Sequence, residues 1–499
     1  MGIIRKQSTA STIIIYLGIV IGFFGAAVLR PKILSPDEIG FLQVLLNMTI
    51  FIGAVLTLGA NLIIIKMLPT FKTENNENRG LFKLVVYIGL VGSLIGIPLI
   101  YFTESLFLQN NEGQRFEGIS YDFLFYLTIY LVIVVRTFSN LFDNYLRSNY
   151  VTLPGVISDS IVLKSLPIII LGIFYVGLIN YSNLVYLNLF IHIIPLFIGI
   201  YFLNKIAVIH WSKPGPFSSA EKKQMFGIST VGFMEIISYF LVLFIDVFML
   251  KRLMNDEAVG IYTTMFFFGA VISIPLKALI RIAHPIISEA FAKNDMSTIQ
   301  QIYQKSSKIL FLLGALVFLL VWGNRYSIEN FLDPVYAQGI WVIFFIGMAH
   351  LMDVLSSVNY QIISITPHYR FNLYMGVFTI VLLITTNYIF IHFYGIVGVA
   401  IGSMISMFLV NFSRYLFLFL KYKLSPFSSK TIRNVLLFVL MLSALEIIPN
   451  LENLYINAII RTIGVVLFYI PSAYFLKCSE DFNQVIEKYL SLLMSIRKK

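Results

Sequence analysis

Apolar runs of about twenty residues, separated by short breaks rich in charge, proline, glycine and asparagine, occupy the chain from end to end. They fall at residues 9–29, 41–65, 83–103, 122–142, 160–179, 184–204, 227–250, 261–280, 307–323, 339–360, 372–391, 394–416, 433–448 and 455–476. A hydrocarbon core about 30 Å thick needs about 20 apolar residues per crossing helix. Lipid leaves helices as the spanning element, because each segment must satisfy its own backbone hydrogen bonds. The pattern therefore predicts an all-α polytopic membrane protein with about fourteen transmembrane helices. The run at 433–448 is short, and two runs nearly touch at Phe393.

Composition agrees with that reading: 58% of the 499 residues are hydrophobic, 12% are charged and the mean hydropathy is +0.85. With the amino terminus placed in the cytoplasm, the inner loops hold 26 of the 36 Lys and Arg and the outer loops 6. The positive-inside rule favours that orientation and brings both termini to the cytoplasm. A net charge of +11 then reflects loops facing anionic lipid. Nucleic acid is set aside as a partner, since no basic patch is interleaved with aromatics. Cys478 is the only cysteine, which excludes an intrachain disulfide, and the six histidines show no metal-ligand spacing. No metal and no cofactor is implied. The first run follows Arg5 and Lys6 and ends near Gly25, Ala26 and Ala27. It is long for a signal peptide and reads as a retained span.

Two further stretches carry helical periodicity. Phe482, Val485, Ile486, Tyr489, Leu490, Leu493 and Ile496 predict an amphipathic tail helix beginning after Ser479, lying on the inner membrane surface. Residues 294–308 predict a second such helix, with a capping box from Ser297 to Gln300.

The chain repeats itself. "VLRPKILSPDEIGFLQV" after the first run has a faint copy in "FMLKRLMNDEAVGIYTT" at the seventh: Gly40 aligns with Gly260, Lys32 with Arg252, Ile33 with Leu253, Asp37 with Glu257 and Ile39 with Val259. Six spans separate the copies, so both halves enter the membrane in the same direction, as a parallel repeat. The expected organisation is an N-terminal lobe over 1–210, a second lobe over 211–424, and two extra helices with the tail over 425–499. Two such lobes can enclose a cavity for substrate near the midplane.

Charged side chains inside spans mark functional positions, because each costs about 2.5–3.5 kcal/mol on insertion scales. In span four Arg136, Asn140, Asp143 and Arg147 recur on one helical face. A guanidinium there suits a diphosphate, which needs bidentate donors on leaving water; internal pairing of Arg136 with Asp143 is the structural alternative. Lys164 in span five and Arg281, beside His284 at the inner end of span eight, are further candidates for the phosphate, and both also suit plain anchoring. Glu235 and Asp246 share a stripe of span seven with Tyr239 and are the candidates for ion coupling; salt links to Lys251 or Arg252 are the alternative for Asp246. His350 and Asp353 share a face of span ten, while Arg414 and Arg461 sit near span ends, where anchoring is the default.

Several stretches resemble one family: "LSPDEIGFL" after the first span, "DVFMLKRLMNDEAVGIY" at the seventh, "AHPIISEAFAKNDMSTIQQIYQKS" after the eighth, "LDPVYAQG" after the ninth and "FYGIVGVAIGSMIS" entering the twelfth. They are similar to the Wzx-like polysaccharide flippases of the multidrug/oligosaccharidyl-lipid/polysaccharide exporter superfamily, over essentially the whole chain. The resemblance implies a MATE-like fold of two six-helix lobes plus two C-terminal helices. It implies a flippase that moves an undecaprenyl-diphosphate-linked oligosaccharide between leaflets of the bacterial inner membrane by alternating access, for surface polysaccharide such as O-antigen. Membrane lipids and polysaccharide polymerase machinery are the implied partners. Related lipid II flippases use their extra helices to line a groove for the lipid tail, and their arginine cluster has no match here. Cation-coupled multidrug antiport is the nearest rival and predicts a cavity of acids and aromatics. A membrane glycosyltransferase or polymerase would need a larger outer loop than any found, so an enzyme is not expected.

Overall fold

The computed structural model describes residues 2–71, 78–108, 116, 118–205, 215 and 217–496. Among them every regular element is helical. The principal helices are α1 (Gly2–Phe23), α2 (Pro36–Val55), α3 (Ala60–Phe71), α4 (Leu81–Phe107), α5 (Phe123–Ser148), α6 (Leu163–Tyr175), α7 (Tyr181–Phe190), α8 (Ile193–Lys205) and α9 (Ser219–Leu253). They continue with α10 (Asp256–Ala270), α11 (Ile274–Ala292), α12 (Met296–Gly323), α13 (Ile340–Ser356), α14 (Asn359–Ile365), α15 (Arg370–Tyr422), α16 (Ser429–Ile447), α17 (Leu454–Phe475) and α18 (Glu480–Ile496). Among the described residues, twelve segments are long and apolar enough to cross a membrane. The protein is a multi-pass membrane protein.

The chain forms two compact units, Met1–Thr263 and Thr264–Lys499. In the first, α3, α4 and α5 share a core of Ile63, Ile64, Leu68, Phe82, Val85, Leu141 and Tyr145. The predicted span at 41–65 is two helices here. Leu58 and Gly59 take positive φ, of 50° and 75°, and part α2 from α3. The Leu58 carbonyl released by this break accepts the Ser229 hydroxyl of α9 at 2.5 Å, so the backbone stays satisfied without water. In the same unit the loop ahead of α4 is tied to α9: Arg79 pairs with Glu221 at 2.7 Å, and Glu221 closes a capping box with Ser218. Loop residues 72–77 and 206–214 lie outside the described residues.

In the second unit, the predicted spans at 372–391 and 394–416 are the two arms of α15, which folds back at Gly395 (φ 54°, ψ −130°). Thr386 on one arm donates to the Gly402 carbonyl on the other at 3.1 Å. The helices beyond the repeat are fastened to the end of α12. Arg461 of α17 donates to the carbonyls of Gly323, Leu445 and Ile448, and Arg325 pairs with Glu446 of α16 at 2.5 Å. Arg461 is thus an anchor. The tail helix α18 forms as expected and is pinned to α16 through Glu480 and Lys430. The side chains of Tyr489, Leu490, Leu493 and Ile496 lie outside the described residues.

The helix expected over 294–308 is continuous with α12, and its cap differs from expectation. Asp295 is the N-cap, accepting from the Thr298 amide at 3.0 Å, and Gln300 instead exchanges hydrogen bonds with the Ser425 backbone. A carboxylate one residue before the helix outcompetes a hydroxyl inside the first turn, because it adds charge complementary to the helix dipole. The Thr298 and Ser297 hydroxyls and the Thr298 amide hold Asp295 down at about 2, against an ordinary 3.8. A depressed carboxylate contributes stability above its unfolded value and loses it as pH falls through the folded one. The Thr298 amide resonance should therefore titrate with a midpoint near 2. A midpoint at the ordinary value would contradict this cap.

Candidate functional site

The first unit gathers ionisable groups from four segments. α5 supplies Arg136, Asp143 and Arg147; the junction of α7 and α8 supplies His192; a wide helical turn, Ser158–Val162, supplies Asp159; α6 supplies Lys164. Such widened turns insert a residue into a helix and re-aim side chains, and they recur at functional sites. The face shared by Arg136, Asn140, Asp143 and Arg147 is helical, as predicted.

Pairing within the cluster differs from the expected alternative. Asp143 pairs with Arg147 at 2.6 Å, and Arg147 also reaches Asp159 at 3.8 Å. Arg136 does not close on Asp143. Its Nη2 lies 2.6 Å from His192 Nε2. A guanidinium has no acceptor, so the imidazole must present its lone pair there, which makes His192 neutral with its proton on Nδ1. The Arg136 Nε lies buried without a hydrogen-bond partner. Asp159 is close enough to feel Arg147, Lys164 and Arg136 together. Lys164 runs alongside α1, its Cδ 3.1 Å from where a Cβ on Gly22 would stand. Three cations thus surround two carboxylates within a bundle of apolar helices. The arrangement can accept a multivalent anion whose oxygens take the open Arg136 donor and compete with the two aspartates.

The structure brings Arg136 and Lys164 together through Asp159. Arg281 belongs to α11, and its side chain lies outside the described residues, while His284 beside it is exposed. Glu235 is exposed on α9, and Asp246, three turns on, accepts the Tyr262 hydroxyl of α10 at 2.5 Å. Lys251 pairs with Asp256 at 2.6 Å. Among the described residues there is no group of His, Cys, Asp and Glu fit for a metal ion. Sequence reasoning missed His192 and Asp159. The signal was available for His192, an ionisable residue within the run at 184–204, whereas Asp159 falls one residue before the run at 160–179 and did not stand out.

Residues 6–291 match a family described as polysaccharide biosynthesis protein. No curated protein matches the chain. Among solved structures, the chain is similar to the lipid II flippase MurJ in an inward closed conformation, with TM-score 0.68 and 14% identity over 94% of this chain and 99% of that one. It is also similar to an inward-facing multidrug resistance MATE family transporter of the MOP superfamily, with TM-score 0.64 and 13% identity over 86% and 94%. An outward-facing transporter of that MATE family gives 0.56 and 14% over 89% and 97%. At such identities the likeness is one of fold, and it bears out the MATE-like architecture read from the sequence.

Proposed function

The chain belongs to the polysaccharide biosynthesis protein family, and from that premise we propose that it is a flippase for an undecaprenyl-diphosphate-linked oligosaccharide. It carries its substrate from the cytoplasmic to the outer leaflet of the bacterial inner membrane by alternating access, with both termini cytoplasmic, and supplies surface polysaccharide such as O-antigen. The observation that carries this reading is the Arg136 cluster: a buried guanidinium Nε without a hydrogen-bond partner, in a group of three cations and two carboxylates among apolar helices. A diphosphate needs that chemistry once its water is gone. The likeness in fold to a lipid II flippase supports the same class of cargo. In this proposal Arg136 and Lys164 bind the diphosphate, and Arg281 meets it at the cytoplasmic mouth. The two lobes of the repeat, 1–210 and 211–424, alternate around the cargo. The helices beyond 425 serve its polyprenyl tail, and polymerase machinery receives the product.

The membrane potential helps. If the diphosphate carries two negative charges outward, an inside-negative potential of 100 mV favours export by about 4.6 kcal/mol, at about 2.3 per charge. Glu235 and Asp246 are then best assigned to proton-linked resetting of the empty carrier.

A deletion strain tests the reading. Lipid-linked oligosaccharide should accumulate on the inner leaflet and surface glycan should fall. Altered drug tolerance with normal surface glycan would instead support multidrug antiport, to which the exposed Glu235 and Tyr239 of α9 lend themselves.

A further inference from the structure

The second unit holds a polar constellation that the proposed diphosphate site does not use. α13 stops at Ser356, Ser357 adopts φ 53° and ψ −118°, and α14 begins at Asn359. Such a backbone is strained for a non-glycine residue and persists where its surroundings enforce it, often at ligand clamps. Here the enforcement is visible: the Ser357 hydroxyl donates to Ser306 Oγ at 2.6 Å, and the Ser307 hydroxyl donates to the Leu355 carbonyl at 2.6 Å.

Around the break two buried amides hold a carboxylate in place. Asn359 Nδ2 donates to Asn411 Oδ1 at 3.1 Å, and Asn411 Nδ2 donates to Asp353 Oδ1 at 3.3 Å. Arg414, one turn beyond Asn411 on α15, sets its Cζ 5.3 Å from the centre of the Tyr360 ring and lies within electrostatic reach of Asp353. The Arg414 Nε is buried without a hydrogen-bond partner, whereas Tyr360 is 47% exposed.

We propose that this break is a saccharide subsite, taking one pyranose ring of the glycan. The inference rests on the proposed flippase reading and deepens it. A sugar ring has an apolar face of C–H groups and a rim of hydroxyls that both donate and accept. The Tyr360 ring is a platform for the face. Asp353 accepts from one rim hydroxyl while Arg414 donates to its neighbour. Other ligand classes fit worse. A phosphate meets Asp353 as a like charge, a cation meets Arg414, and an apolar drug leaves the Arg414 N–H unanswered.

The test uses the full chain in lipid nanodiscs and two sets of probes: undecaprenyl diphosphate, and the same lipid bearing a single hexose, N-acetylhexosamine or 6-deoxyhexose. At least one glycosylated probe should bind wild type about tenfold or more tighter than the bare lipid. Tyr360→Ala and Asp353→Asn should erase that gain while leaving bare-lipid binding intact, which also reports a sound fold. A gain that survives in both variants overturns the subsite. If no glycosylated probe gains in wild type while Arg136→Gln loses bare-lipid binding, the subsite falls and the flippase reading stands. If wild type binds none of the probes, both fall.

Discussion

Arg136→Gln is expected to stop transport: lipid-linked oligosaccharide accumulates on the inner leaflet to nearly the level of a deletion strain, while the protein remains folded in the membrane. The argument runs through hydrogen bonds. Glutamine is neutral and two bonds shorter, so it removes the charge and the guanidinium fork and no longer reaches His192 Nε2. Charge-assisted hydrogen bonds contribute about 1.5–3 kcal/mol each, so losing one weakens diphosphate binding by about 10- to 150-fold. Arg136→Lys should recover part of the activity, because a point charge attracts phosphate without the bidentate fork. His192→Phe separates positioning from binding. It frees Nη2 and lets the guanidinium turn toward Asp159, so it should weaken binding less than Arg136→Gln does. Wild-type flipping by Arg136→Gln would remove the cluster from the mechanism and leave it a structural ion network.

Most of the span pattern was legible because lipid enforces it: a crossing helix must be apolar along its length, and hydropathy reads that directly. What hydropathy cannot read is a break inside a span. Leu58 and Ser357 both sit at positive φ within or at the end of an apolar run, and backbone carbonyls freed at these breaks accept hydroxyls from helices far away in sequence, Ser229 in one case and Ser307 in the other. The local hints were Gly59 and the polar cluster Ser356, Ser357 and Asn359, both turn signals within apolar surroundings. The cluster around Arg136 was half legible. The helical face of span four follows from spacing alone, but the partner of Arg136 is 56 residues away on another element. Proximity in sequence made Asp143 the obvious partner. Arg147 holds it instead, one helical turn on at i+4, a spacing at which side chains meet on a helix.

The repeated corner supports the second large prediction, because its two copies touch each other. A Cβ on Gly40 would stand 1.8 Å from the Asp256 carbonyl oxygen and 2.9 Å from the Gly260 amide nitrogen. A Cβ on Gly260 would stand 1.7 Å from the Pro36 carbonyl oxygen. Pro36 and Asp256 are themselves equivalent positions of the repeat, so the contact is reciprocal, as a twofold relation between the copies requires. Caps match as well, Ser35 before α2 and Asn255 before α10, and Ile39 and Val259 are both buried beside the contact. All the obstructing atoms are backbone, which has no rotamer to yield, so even alanine must push these helix ends apart by more than an ångström against an ordinary separation of about 3.5 Å. Overpacking of this kind costs about 1–3 kcal/mol, which as a bias between two conformations is about 5- to 150-fold in population. In the proposed orientation these ends face outward, and the proposed alternating access parts them in one state. Gly40→Ala or Gly260→Ala should therefore favour the parted state, and the pair together should favour it more. The measurement is labelling of Val259→Cys by a membrane-impermeant maleimide, against a background kept low by the burial of Cys478, the sole native thiol. Each alanine should raise the labelling rate at least fivefold. Unchanged labelling together with lowered thermal stability would make the glycine pair a packing feature alone and free the outer corners from any part in opening.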